Sequence, residues 1–134
     1  MDPDRLAVAP RAETGSAVVE FALVSALLSA LLLAVLQVGV AVHVRNTLVA
    51  AAAEGARYGA DADRTPADGA ERTHDLVAAS LPAAYAGHVT AGYETVGGLA
   101  TVVVRVQAPL PLLGLAGPGG DLVVEGHALA ELPP

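Results

Sequence analysis

The sequence predicts an α+β fold: a long N-terminal transmembrane and stalk helix, then a small head of one helix and a three-stranded antiparallel sheet. Three observations predict it. Residues 21–42 read FALVSALLSALLLAVLQVGVAV, 22 positions without a formal charge. A proline-led stretch from Thr65 carries helix-initiation chemistry, and three later stretches alternate apolar and polar side chains around Gly97-Gly98. The chain has 134 residues, 54% of them hydrophobic, but that content is concentrated in the first of these segments and does not describe a globular core.

Taken in order, the apolar run comes first. At a 1.5 Å rise per residue its helix is about 33 Å long, enough for a hydrocarbon core of roughly 30 Å. The remainder of the chain is too small to wrap a wholly apolar cylinder, which argues against a buried soluble helix. A secretory signal has an apolar core of about 7 to 15 residues followed promptly by a small-residue cut site; this run is longer, and the Ala50–Ala53 stretch lies beyond Arg45. Ser25 and Ser29, four apart, share a face suited to close helix packing or to a bond back to the preceding turn.

Before the run stands MDPDRLAVAPRAETGSAVVE, which ends on a glutamate at the lip of the apolar segment. An ionised carboxylate costs about 2.5 to 3.5 kcal/mol at the bilayer centre on insertion scales, so Glu20 calls for a partner. Cleavage after Gly15 would give Ser16 a free ammonium and make Glu20 the fifth residue of the product, an opposite charge for a staggered neighbouring helix.

Gly15-Ser16-Ala17-Val18-Val19-Glu20-Phe21, followed directly by the span, resembles the class III signal of type IV pilins and pseudopilins. Further along, residues 48–59 (LVAAAAEGARYG) resemble the small-residue stretch of the TadE-like family of pseudopilins, and VVVRVQAPLPLL followed by DLVVEGHALAEL is similar to that family's ending. The resemblance implies a minor pilin-like subunit of a tight-adherence (Flp) pilus or related secretion apparatus. It implies a leader of residues 1–15, removed by a prepilin peptidase between Gly15 and Ser16, and partners among other pilins, the pilus assembly platform and membrane lipid. Ser16 stands where many major pilins have phenylalanine, so the resemblance does not extend to N-methylation. It also implies a cytoplasmic N-terminus and an extracytoplasmic head in a bacterium; Arg5 and Arg11 before the span and Arg45 and Arg57 after it give no charge asymmetry that decides orientation.

No proline interrupts the chain between Phe21 and Tyr58, and the alanine run favours helix, so the stalk is expected to run through residues 16–60, ending at Gly59 or Ala60. Ala51, Gly55 and Gly59, and again Ala52, Ala56 and Ala60, recur every four positions and offer a flat surface for close packing. Spacing alone leaves three readings open: contact with neighbouring pilin helices, docking of the protein's own C-terminal sheet, or alanine richness that follows only from a biased genome. Glu54 and Arg57, three apart, form an expected surface ion pair.

The head, residues 61–134, begins at the charged and proline-containing DADRTP. Thr65 is an N-cap, Pro66 takes the first helical position and Asp68 lies near the positive helix end; the helix runs to about Leu81, with Ala70, Thr73, Val77 and Leu81 on its apolar stripe. Val89, Ala91 and Tyr93 then alternate with polar or small neighbours, as do Ala100, Val102, Val104 and Val106 across the Gly97-Gly98 reversal, which makes a β-hairpin. A loop with Leu110, Leu112, Leu113 and Leu115 leads to a third strand through Leu122, Val124, Gly126, Ala128 and Ala130.

Catalytic chemistry has no support in the sequence. GxSxG, HExxH, Walker and dinucleotide motifs are absent, and His43, His74, His88 and His127 are scattered without i, i+4 pairing, so neither an active site, a cofactor nor a metal centre is expected. His74-Asp75 suggests a base and its orienter, but neighbouring helical residues point to different faces. There is no cysteine, and seven arginines without lysine face fourteen carboxylates, the wrong balance for nucleic acid. Two function classes remain: a processed pseudopilin, or an uncleaved single-pass membrane-anchored structural or binding protein of an envelope export complex.

Overall fold

A computed structural model of the chain describes residues 12–111 and 120–131. The start of the expected leader, the loop leucines Leu112, Leu113 and Leu115, and residues 132–134 lie outside the described residues. The elements in chain order are α1 (Ala12–Ala60), α2 (Pro66–Ser80), a 3₁₀ turn (Ala83–Tyr85), β1 (His88–Val96), β2 (Leu99–Pro109) and β3 (Asp121–Leu129). This is the α+β arrangement expected, and the long helix ends at Ala60 as its uninterrupted alanine run requires. The chain divides into two compact units, Met1–Leu36 and Gln37–Pro134, so the division by packing falls inside α1.

In the first unit α1 is apolar on every side. Phe21 is 74% exposed and Leu27 71%, and no part of the most apolar stretch, of mean hydropathy 2.5, is buried in protein. The helix is long and apolar enough to cross a membrane.

In the second unit one core joins the last six turns of α1, α2 and one face of the sheet. The strand order is β1-β2-β3, all antiparallel, as the two connections permit. Val96 pairs with Leu99 across Gly97 and Gly98, whose φ values of 60° and 82° fit the left-handed positions of a tight hairpin turn. The register places Val106 between Val89 and Val124, and Val104 between Ala91 and Gly126. One face of β2 thereby buries Val102, Val104, Val106 and Ala108. Fully burying each valine contributes about 1.5 kcal/mol or more. Tyr93 and Ala100, expected on this face, stand exposed toward the hairpin end, outside the packed core.

The local chemistry of α2 follows its sequence. The Asp68 backbone N–H donates to the Thr65 hydroxyl at 3.3 Å, and the Thr65 N–H donates to the Asp68 carboxylate at 2.7 Å, a reciprocal cap that satisfies two donors. The Thr65 hydroxyl also donates to the Asp68 carboxylate at 2.8 Å, and this bond, with the one from the Thr65 N–H, holds the Asp68 carboxyl below its ordinary value. The helix stops at Ser80, where the Leu81 N–H donates to Val77 O and Pro82 prevents continuation. Its buried stripe is Gly69, Thr73 and Val77, with Ala70 and Leu81 half-buried, a shift of one residue from the expected stripe at its start. Two backbone bonds close the unit: the Ala130 N–H donates to Ala100 O at 2.9 Å and the Glu131 N–H to Ala60 O at 2.8 Å, capping the last turn of α1.

Candidate functional site

The processing candidates all lie on α1. Gly15, Ser16 and Glu20 are helical and exposed, and nothing lies within 4 Å of where a Gly15 side chain would begin. Glu20 stands among exposed apolar neighbours, Val19 at 59% and Phe21 at 74%. A carboxylate there has an apolar helix surface around it and no burial, an arrangement that suits a cation brought by another chain.

The small-residue positions divide between two occupants. Gly55 and Gly59 meet α2: a Cβ on Gly55 would overlap the Thr73 hydroxyl and come within 2.5 Å of Gly69 O, and one on Gly59 would lie 2.9 Å from Thr65 O and 3.1 Å from Gly69 Cα. Gly69 is equally tight, with Gly55 O 2.6 Å from its own missing Cβ. Backbone therefore lies on backbone, which only glycine permits. The buried Thr73 hydroxyl reaches Gly69 O at 2.9 Å and Ala51 O at 3.3 Å, so it bonds within its own helix and is positioned against α1. The second stripe serves the sheet. A side chain on Gly126 of β3 would overlap the carbonyl group of Ala52, and Ala52, Ala56 and Ala60 are buried in the core. Ala51, Gly55 and Gly59 are thus filled from within the chain, and the first occupant is α2, which spacing did not suggest.

The opposite face of the sheet is built around one guanidinium. Arg105 donates to Glu125 across β3 and, at 3.4 Å, to Glu94 on β1. Glu94 is registered with Thr101, four residues back along β2, so the Arg105 side chain passes along the strand over Val103. Val103 is only 2% exposed although it faces away from the helices. The Arg105 bond holds the Glu125 carboxyl below its ordinary range, and the Glu125 bond raises the Arg105 value. Sequence alternation places these three residues on one face; the lengthwise reach of Arg105 needed the register.

Chemical groups elsewhere are dispersed. His43, His74, His88 and His127 fall on α1, α2, β1 and β3. His74 Nδ1 lies 3.4 Å from Asp75 Oδ1, closer than their different helical faces implied, but both side chains are more than half exposed. His127 Nε2 lies 3.5 Å from Glu125 Oε2. Among the described residues no three His, Cys, Asp or Glu side chains are grouped to hold a metal ion. Glu54 and Arg57 pair at 3.1 Å on the surface. An open cleft of 460 Å³ between α1 and α2 is lined by His43, Thr47, Ala51, Glu54, Leu76 and Ser80.

Residues 15–57 match the family model described as TadE-like protein. This segment is TadE-like. The TadE-like match opens on Gly15 and closes on Arg57, so it contains the Gly15–Ser16 junction, Glu20, the apolar run and the Ala51 and Gly55 positions, while Gly59, α2 and the sheet lie beyond it. Comparison with curated proteins and comparison with solved structures gave no match.

Proposed function

We propose that this protein is a TadE-like minor pilin or pseudopilin, a non-enzymatic structural subunit for biogenesis of a tight-adherence pilus or related secretion apparatus. The observation that carries the reading is the extent of the TadE-like match: it starts at Gly15, the last residue of the proposed leader, and continues through Glu20 and the apolar helix. In this reading a prepilin peptidase removes Met1–Gly15 on the cytoplasmic side, residues 21–42 hold the subunit in the bilayer, and the head is extracytoplasmic. Glu20 pairs with the free Ser16 ammonium of a neighbouring subunit and sets the stagger between their helices. The unburied apolar surface of α1 supports this, because lipid or other helices must cover it. The small residues Ala51, Gly55 and Gly59 are already covered by α2, so the subunit contacts are assigned to the first part of α1 and its exposed side.

Intact-mass measurement on protein from its native host tests the proposal. Loss of Met1–Gly15 is expected, and a full-length product would instead mark an uncleaved single-pass anchor. Gly15→Asp is expected to block maturation. Glu20→Ala is expected to be cleaved yet to assemble poorly; normal assembly would remove the charge pairing from the account.

A further inference from the structure

The head follows the apolar run of α1 without a spacer. That run ends at Val42, and the second compact unit begins at Gln37, so residues 37–42 belong to the same packed body as the head. Val40, inside the run, packs against the core, and Val44 and Leu48, just beyond it, are buried in that core. From Ala60, α2 descends toward this point. Gly59 meets Thr65 and Gly69, Gly55 meets Thr73, Ala51 O accepts from Thr73, and Leu76 and Ser80 line one cleft with His43 and Thr47. β3 instead rises with α1: Gly126 rests on Ala52 and the Glu131 N–H bonds Ala60 O, which leaves Asp121 and its register partner Pro109 at the lower end. The turn after α2 and the end of β2 therefore share the end of the head where α1 enters its apolar run.

That end is apolar. Residues 81–87 (LPAAYAG) carry no charge, Pro82, Ala83 and Ala84 are exposed, and Leu110 is 40% exposed. The charged or titratable groups nearest it among the described residues are His43, Arg45, His88 and Asp121, and Asp121 accepts a hydrogen bond from Gln107 at 2.6 Å. The opposite end carries Asp61, Asp63, Arg64 and Glu131.

We propose that this end of the head is seated in the bilayer interface, with the Pro82–Ala84 turn and Leu110 among lipid headgroups and the adjoining acyl chains. The inference rests on residues 21–42 being a membrane span. If they fill the hydrocarbon, Val40 lies about 3 Å inside its edge at a 1.5 Å rise per residue, and the side chains packed at that level are carried to the same depth. Lipid is the occupant because α1 itself delivers this surface to the membrane. The turn also satisfies its own backbone: the Leu81, Tyr85 and Ala86 N–H groups donate to Val77, Pro82 and Ala83 O, which lowers the cost of leaving water. Burying its uncharged apolar surface is then favourable, and Tyr85, half-buried at the turn, is a residue type enriched at membrane–water boundaries.

The chain has no cysteine, so single cysteines carry a fluorophore without background. The test reconstitutes the full-length chain at a low protein-to-lipid ratio in phosphatidylethanolamine–phosphatidylglycerol vesicles whose acyl chains bear a nitroxide quencher at a shallow or a deep position. Labels at Ala83→Cys and Ala84→Cys are expected to lose fluorescence to the shallow quencher, a label at Leu31→Cys to the deep one, and a label at Ala62→Cys, at the opposite end, to stay bright. Thermal unfolding matching the parent shows that each variant is folded. Quenching at Leu31 with Ala83 and Ala84 as bright as Ala62 overturns the seating and leaves the span standing. Absence of quenching at Leu31 overturns the span and this inference together. Quenching at Ala84 is expected to persist in about 1 M salt, where the Debye length is roughly 3 Å. Its loss there overturns apolar seating in favour of an electrostatic contact with the headgroups.

Discussion

Phe21 and Ala52 belong to the same unbroken helix, yet their surroundings are opposite. From Phe21 onward the helix carries bulky apolar side chains that are uncovered; around Ala52 it is built largely of alanine and glycine and buried down to its backbone. A single helix can carry both because helix propensity is satisfied equally by leucine and alanine, while side-chain size decides what can approach. Large residues offer area to a fluid apolar surrounding, whereas small ones let a second backbone come close and bury through proximity. The comparison separates hydrophobicity from packing: the more apolar half is the one that packs least within the chain.

Four changes break or sharpen that contrast. The largest effect is expected from Gly126→Val, whose side chain would overlap the Ala52 carbonyl; overpacking against backbone should cost about 3 kcal/mol or more, read as a fall in the unfolding temperature of the full chain in detergent micelles. Leu31→Arg should leave that temperature unchanged while making membrane insertion less favourable by about 2.5 to 3.5 kcal/mol, and a destabilised head would show that the two halves are not energetically separate. Gly55→Ala should cost about 2 kcal/mol. Combining it with Thr73→Ala should recover part of the loss, because one of the atoms it overlaps has been removed; strict additivity in that double-mutant cycle would refute the contact. The smallest effect is the pH dependence of the α2 cap. The folded Asp68 carboxyl titrates below its ordinary 3.8, so its contribution is complete above that value and is lost as pH falls through the lowered one. Asp68→Asn should flatten this acid limb by lowering stability at neutral pH toward its acid value.

Much of the fold was legible because local signals agreed with each other. The alanine run carries α1 to Ala60, Thr65-Pro66-Ala67-Asp68 starts α2, and Gly97-Gly98 turns the hairpin. What was not legible required two distant segments to be brought together. The four-residue spacing of Ala51, Gly55 and Gly59 announces a close neighbour, but the neighbour's identity depends on Gly69, a glycine unremarkable in its own helix. In the same way, Val103 seems misplaced on an outward face until the register shows Arg105 lying over it. Of the candidate site, the sequence placed Gly15, Ser16 and Glu20 just before the apolar run, and the structure adds that all three stand exposed on α1. The cleavage and charge pairing proposed for them involve other molecules, which no reading of one sequence supplies.

The glycine notch between α1 and α2 has a mechanical consequence. Gly55 and Gly59 both bear on Gly69, and Gly55 also receives the Thr73 hydroxyl, so no side chain stands between the two helices there. The seat works as a gauge that fixes the axial setting of α2. A push that would slide α2 along this part of α1 therefore meets main chain bearing on main chain, with no side chain between them free to change rotamer and give way.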